Sequence, residues 1–412
     1  MNILFLTIGR FASIEAHSIY ADLLRCFRDH GHEIYTITPY EKKTGKKTEL
    51  VHEKGSHILY VETGNVTGAN NLISKGLAQM SLEPTYIKAI KQYFSDVKFD
   101  LVMYSMPPIT FCKAVEFVKM RDGAKSYLLL KDIFPQNAVD LGMMTKNGIK
   151  GLIYKYFRRK EKKLYALSDY IGCMSEANVK YVLGCNPEVN PKKVEVCPNS
   201  IEVINKSVDE KTRKQIREKY GIPIDKKVFI YGGNLGKPQG IPFLIECLRK
   251  VQNIEGTYFL IVGSGNEYGK LQSFIAQEKP ANVKLLSLIP KEDYDSMVGA
   301  CDVGLIFLDH RFTIPNFPSR LLAYMQARLP VLVCTDPNTD IGKTVVDGGF
   351  GWWCESNDPE GFCKKIKDIL QEDLNTKGLS GFIKLLDNYS TETSYKIIDK
   401  HFGGKTDELS SN

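Results

Sequence analysis

The sequence predicts an α/β protein built from two doubly wound domains with parallel sheets, facing a cleft. Three observations predict it. Strand-like and helix-like segments alternate along the whole chain, the pattern of repeated βαβ units. The alternation is interrupted by "PNSIEVINKSVDEKTRK", polar and without periodicity, which starts at Pro198. And 412 residues exceed what one hydrophobic core organises.

In the first half, strands are expected near 2–8, 33–38, 56–61, 100–104, 126–130, 169–174 and 193–197. Between them lie amphipathic stretches such as "SIYADLLRCFRDHG", where Gly31 stands as a C-terminal helix cap would. In the second half, strands are expected near 227–232, 257–262, 283–288, 302–307, 330–334 and 350–354. Its first helix is marked by Ile241, Leu244, Ile245, Leu248 and Val251, the i, i+3, i+4, i+7 spacing of a buried face. These elements give a first domain over 1–200 and a second over 201–385. A helix over 386–402 is expected to return to the first domain, and the tail 403–412, "GGKTDELSSN", to be disordered.

Composition excludes several classes. Hydrophobic residues make up 43% and charged residues 25%, as in ordinary soluble proteins. No apolar run approaches the roughly 20 residues that cross a bilayer. "MNILFLTIGR" lacks a basic leader and a cleavage site, and reads as a first strand. The ten cysteines are scattered singly without a CxxC pair, so a reducing, cytoplasmic location is expected and no structural metal. The net charge of +7 lies wholly in residues 1–205, which hold 28 Lys+Arg against 21 Asp+Glu, while 206–412 hold 27 of each. A basic first half favours an anionic partner; the plainer alternative is a Lys-rich solvated surface.

Some motifs fail on inspection. "DIGKTVV" ends like a phosphate-binding P-loop, but the glycine it requires at 337 is Pro337. "GSGNEYG" at 263–269 misses the dinucleotide fingerprint by one residue. HExxH, GxSxG and Cys/His metal spacings do not occur.

Two stretches carry more. "YGGNLGKPQG" at 231–240 ends a strand in glycines and places Asn234, Lys237 and Gln239 on the loop before a helix. In open α/β sheets ligands bind outside the carboxyl ends of strands. Glycines there let backbone approach an anion, and Lys237 supplies a compact charge. "PNFPSRLLAYMQARLPVL" at 315–332 opens a helix at Ser319 and Arg320. A helix N-terminus presents unpaired N–H groups to an anion, and Arg320 adds a forked donor. The plainer alternatives are a Gly-rich connection and an ordinary N-cap with a solvated arginine. A third stretch, "TKNGIKGLIYKYFRRKEKKLY" at 145–165, interleaves eight Lys/Arg with aromatic and aliphatic residues. It reads either as an interfacial helix attracted to anionic lipid or as a helix packed on its own domain with its lysines in water.

Together these stretches, with "KDIFPQNAVDLGM", "VEVCPNSIE", "LIVGSG" and "DIGKTVVDGGFGWWCESNDPEGF", resemble a retaining glycosyltransferase of family 4 with the GT-B fold, two Rossmann-like domains. The resemblance spans about residues 1–402 and is strongest to enzymes that build bacterial capsule and O-antigen repeat units, such as fucosamine transferases. It implies a nucleotide-sugar donor, a UDP-sugar, held by the second domain, with no metal and no other cofactor. Its diphosphate would be approached by Asn234, Lys237 and Gln239 from one side and by the N–H groups of Ser319, Arg320 and Leu321 from the other. Gly233, Gly263, Gly265, Leu288 and Phe317 complete the implied donor set. Gly9 and Arg10 would lie where sugar and acceptor meet, with His17 and Asp132 the polar groups nearest the acceptor. Lys237 and Arg320 would stabilise the leaving diphosphate. The implied acceptor is a polyprenyl-diphosphate-linked saccharide at the inner membrane face, met by the basic first domain; no nucleic-acid partner is expected.

The first loop, "TIGRFASIEAHS", departs from the family's Gly-Gly pattern but keeps Gly9 and Arg10, and the sequence departs from the family at three further positions. Gln239 replaces a usual Lys, and Pro315 and Ala323 occupy the positions of two glutamates. Loss of the second glutamate removes a charge-assisted hydrogen bond to the ribose, worth roughly 1.5–3 kcal/mol. Two alternatives follow from the fold: a UDP-sugar 2-epimerase, or a catalytically silent partner of an active transferase.

Overall fold

The structure, a computed structural model, describes residues 1–65, 72–149 and 151–403, with backbone alone over 72–80. From 404 onward the expected disordered tail lies outside the described residues, as does Lys150 of the basic stretch. The chain divides into two compact units: Met1–Glu202 with Ser390–Asn412, and Val203–Tyr389.

The first unit contains β1 (Asn2–Leu6), β2 (Glu33–Glu41), β3 (Glu49–Glu53), β4 (Ser56–Thr63), β5 (Leu101–Met106), β6 (Lys125–Leu130), β7 (Tyr170–Cys173) and β8 (Val194–Val196). Among the described residues they form one sheet in the order β3-β4-β2-β1-β5-β6-β7-β8. Every pair is parallel except β3–β4, an antiparallel hairpin on the edge. β3 is absent from the sequence reading because "ELVHE" has a charged residue at each end, a composition that suits an edge strand and hides it. The central strands are legible because helices cover both faces; β5 is buried at every position. The helix Ile19–Asp29 starts where Ser18 Oγ accepts the Ala21 N–H at 3.1 Å and buries Leu23, Leu24 and Phe27. The helix Thr391–Asp399 belongs to this unit and packs against Ile19–Asp29.

The second unit contains β9 (Lys227–Asn234), β10 (Thr257–Ser264), β11 (Val283–Leu286), β12 (Val303–Phe307), β13 (Val331–Thr335) and β14 (Gly351–Glu355). They form an all-parallel sheet in the order β11-β10-β9-β12-β13-β14. The chain winds one way from β9 through β11, crosses over, and winds the other way from β12 through β14. That reversal puts a topological switch point between β9 and β12, where ligand crevices form in such sheets. The helix Ile241–Val251 buries all five residues of its predicted apolar face.

The basic stretch at 145–165 resolves into two behaviours. Over the helix Gly151–Leu167, Arg158, Lys160, Lys162 and Lys163 pair with Glu161, Glu83, Glu188 and Glu116. Phe157 packs edge-on against Phe134 at 5.0 Å. The first turns differ: Leu152, Ile153 and Tyr156 are exposed beside exposed Lys155 and Arg159. No helix among the described residues is long and apolar enough to cross a membrane.

Candidate functional site

The switch point of the second unit is built by strands that part company. β9 pairs with β10 as far as Asn234 and Ser264, but with β12 only through Phe229 and Ile230. Tyr324 fills the opening: its hydroxyl lies 3.1 Å from the Ile230 carbonyl and 3.2 Å from that of Leu305, donating between the strands. A Cβ on Gly304 would sit 2.4 Å from the Tyr324 ring, so a glycine is what allows this close approach.

Tyr324 thereby docks the short helix Arg320–Gln326, and Arg320, one turn earlier on the same face, is carried over β9. Its guanidinium stacks on the Tyr231 ring at 4.3 Å. Gly233, with φ +122°, provides the remaining space: a Cβ there would lie 2.6 Å from Arg320 Nη2. Burial works against the arginine's charge, but Tyr231, Tyr324 and Tyr294 favour it and its pKa ends up raised. Burial also pushes the Tyr294 hydroxyl up to about 12, against the opposing pull of Arg320. The cation is therefore seated on the Tyr231 ring beside the end of β9.

The loop after β9 is organised by Gln239. Its Oε1 accepts from Asn234 Nδ2 at 3.0 Å and from the Gly236 N–H at 3.2 Å. Lys237 is exposed on the same turn. The Asp309 N–H donates to the Pro238 carbonyl at 2.9 Å, which ties this loop to the one following β12. Gly263 and Gly265 keep the loops of β9 and β10 in contact, since Cβ atoms there would meet the Gly233 and Leu235 carbonyls at 1.9 and 2.3 Å. At the helix start, the Leu321 N–H already donates to the Pro318 carbonyl at 3.2 Å, which leaves the N–H groups of Ser319 and Arg320 as the better placed donors. The Phe317 side chain is buried and stacks on Tyr389 at 6.2 Å, so only its backbone is available. Leu288 is 68% exposed just beyond β11, two strand spacings, or about 10 Å, from β9.

Residues not anticipated from the sequence complete this end of the sheet. Burial would raise the Asp309 pKa, but Arg311 holds it low through a fork, Nε and Nη2 each 2.8 Å from a carboxylate oxygen. Arg311 is exposed, a third cation near the crevice; its position directly after a buried strand was the available signal. Asp336, after β13, is fully buried; Oδ1 accepts the Asn338 and Thr339 N–H groups while Oδ2 has no hydrogen-bond partner. Burial lifts its carboxyl to about 6.

In the first unit the corresponding reversal lies between β1 and β5. The loop after β1 carries exposed Gly9 and Arg10; the Gly9 N–H donates to Thr7 Oγ1 at 3.0 Å and its carbonyl accepts from Thr38 Oγ1 at 2.8 Å. His17 stands at the end of that loop, Nδ1 3.6 Å from Asp22 and 3.7 Å from Glu202. Asp132 follows β6, two strands from β1, where burial lifts it to about 6 although the Ile133 N–H and Asn137 Nδ2 donate to it at 2.8 and 2.7 Å. The site residues thus gather at the carboxyl ends of the strands in each unit.

Two Rossmann-like units, each with its own topological switch point, make up the GT-B fold. Comparison with known proteins agrees. Residues 212–384 match the family model "Glycosyl transferases group 1". The chain is 26% identical over 333 residues to the probable glycosyltransferase WbjE of Pseudomonas aeruginosa, covering 78% of each chain. It is 21% identical over 250 residues to the putative colanic acid biosynthesis glycosyl transferase WcaI of Escherichia coli, covering 60% of each. Among solved structures it superposes on sucrose-phosphate synthase of Thermosynechococcus elongatus with a TM-score of 0.76 at 14% identity, covering 98% of both. It superposes on Anabaena HepE in complex with UDP with a TM-score of 0.67 at 15% identity, covering 98% of this chain and 100% of that one.

Proposed function

We propose that the chain transfers a hexose or N-acetylhexosamine from a UDP-sugar to a polyprenyl-diphosphate-linked saccharide, with retention and without a metal, in capsule or O-antigen synthesis. The observation that carries the reading is Arg320, held over Tyr231 at the switch point beside exposed Lys237. The seated Arg320 guanidinium and the N–H groups of Ser319 and Arg320 suit the charge that develops on a departing diphosphate, and exposed Lys237 adds a cation on the loop after β9. Because these groups are positioned before substrate arrives, little reorganisation is needed as the bond breaks. The relative named for colanic acid biosynthesis supports the polysaccharide setting, and the UDP complex of HepE supports the donor class. With no acid at Ala323, the ribose would be held by backbone. In the absence of an obvious nucleophile, the phosphate oxygen that leaves takes the acceptor proton, and attack comes from the same face.

The acceptor side of the proposal rests on the exposed first turns of Gly151–Leu167. Leu152, Lys155, Tyr156 and Arg159 share one helix face, apolar groups flanked by cations, as a peripheral inner-membrane helix requires.

The test is nucleotide release from UDP-, GDP- and dTDP-sugars in EDTA, with and without a polyprenyl-diphosphate-saccharide extract. Acceptor-dependent release of UDP from one sugar is expected. No release from any donor, with no UDP binding, would sink the reading and leave a silent GT-B partner in its place. Sugar-dependent conversion without acceptor would point to the epimerase instead.

A further inference from the structure

Cys26, His30 and Glu392 bring three metal-ligating groups together in the first unit. Cys26 and His30 are one helical turn apart at the end of Ile19–Asp29; Glu392 lies in the first turn of Thr391–Asp399. Cys26 Sγ is 3.7 Å from Glu392 Oε2, and His30 Nε2 is 3.5 Å from the same oxygen. The ligand atoms all fall within 4.8 Å of one another. A tetrahedral zinc with bonds of about 2.0–2.3 Å places its ligands about 3.3–3.6 Å apart, so the two contacts to Glu392 Oε2 are close to the required spacing and the remaining pair closes onto the ion by side-chain rotation.

The histidine is prepared for such a role. Its Nδ1 is 2.8 Å from the Cys26 carbonyl and 3.9 Å from Cys26 Sγ; a proton donated from Nδ1 to that carbonyl would leave Nε2, on the Glu392 side, to ligate the metal. The ring plane is held by stacking on Tyr395 at 3.9 Å. Partial exposure of all three side chains leaves room for entry and for a water as fourth ligand.

A second cluster shows what a filled position looks like. His17, Asp22 and Glu202 have a similar spacing, but Arg25 Nη2 already donates to Asp22 Oδ1 at 2.7 Å and to Glu202 Oε2 at 2.6 Å. A protein cation occupies that centre. At Cys26 no side-chain cation among the described residues does; Lys396 pairs with Glu392 through the other oxygen, Oε1.

We propose that Cys26, His30 and Glu392 bind a zinc ion that clasps the helix Thr391–Asp399 onto the helix Ile19–Asp29. Sulfur, imidazole and carboxylate together select zinc over magnesium or calcium, which take oxygen alone. None of the three ligands is a residue of the proposed donor site, so zinc binding does not depend on the transferase reading.

The experiment uses the full-length chain, reduced and stripped of metal. Zinc is titrated in competition with a chromophoric chelator, and cobalt serves as a spectroscopic substitute. One zinc per chain is expected, with Cys26→Ser, His30→Ala and Glu392→Gln each weakening binding at least about tenfold, as loss of even an outer partner does. Cobalt is expected to give a thiolate charge-transfer band in the parent chain that Cys26→Ser abolishes, and His17→Ala to leave both readouts unchanged. Glu392 is half-exposed, so its variant keeps the fold if the cysteine variant does not. Zinc affinity unaltered by Glu392→Gln, or a cobalt–thiolate band that survives Cys26→Ser, overturns the proposal.

Discussion

Arg320→Ala is the most direct perturbation of the proposed donor site. The guanidinium makes two separable contributions. Stacking on Tyr231 at 4.3 Å is a contact within the folded chain and sustains stability by about 1 kcal/mol. A charge-assisted bond to a diphosphate oxygen is made only with ligand and is worth roughly 1.5–3 kcal/mol. At 1.4 kcal/mol per decade, UDP affinity should fall about 10- to 100-fold, while the fold tolerates the lost stack. Arg320→Lys keeps the charge but neither the planar stack nor the fork, so it should fall between parent and alanine. Calorimetric titration of UDP in EDTA at low and high salt reads all three chains, with thermal melts alongside. The alanine variant should also show the shallower salt dependence. A folded Arg320→Ala chain that binds UDP within about twofold of the parent refutes the assignment.

Other expectations follow from the same geometry. Gly233→Ala introduces a Cβ 2.6 Å from Arg320 Nη2 at a backbone φ of +122°. It should lose UDP affinity to about the same extent as Arg320→Ala and cost on the order of 1–3 kcal/mol of stability; parent-like UDP titration would remove Gly233 from the seat of the arginine. As one of the polar groups nearest the acceptor, Asp132 would orient the acceptor hydroxyl by accepting a hydrogen bond once ionised. Transfer should then rise with pH through about 6, where burial has placed the Asp132 carboxyl, and Asp132→Asn should be slow and flat across that range. A parent profile without that limb excludes the role. Asp336 has a folded pKa raised to about 6 from 3.8, so the folded chain keeps a proton the unfolded chain loses, and stability falls as pH rises between those values. Above that window the ionised carboxylate costs at most about 3 kcal/mol, less where solvent screens it. Asp336→Asn still accepts through its amide oxygen, so urea melts should match the parent near pH 4 and show a more stable variant near pH 7.5. No gap at the higher pH would mean the carboxylate is solvated.

The sequence by itself determined the βαβ alternation, because parallel strands covered on both faces are buried at every position and so read as nearly continuous apolar runs, as β5 and β13 do. It also determined the apolar face of Ile241–Val251, since helical spacing is a local property of the chain. Loop positions of Lys237 and Arg320 were legible for the same reason: glycines and a helix start are written in adjacent residues. Tertiary structure alone decided what those residues do. The seat of Arg320 needs Tyr231, Tyr294, Tyr324 and the empty space of Gly233, contributed by β9 and two helices. Gln239, read as a replacement for a lysine toward phosphate, has its oxygen committed to Asn234 and Gly236. Cys26 and Glu392, 366 positions apart, meet only because the last helix packs on the first. Periodicity reports which face of an element is buried; which elements then converge is set by strand order and crossover direction, and no local stretch of residues encodes that.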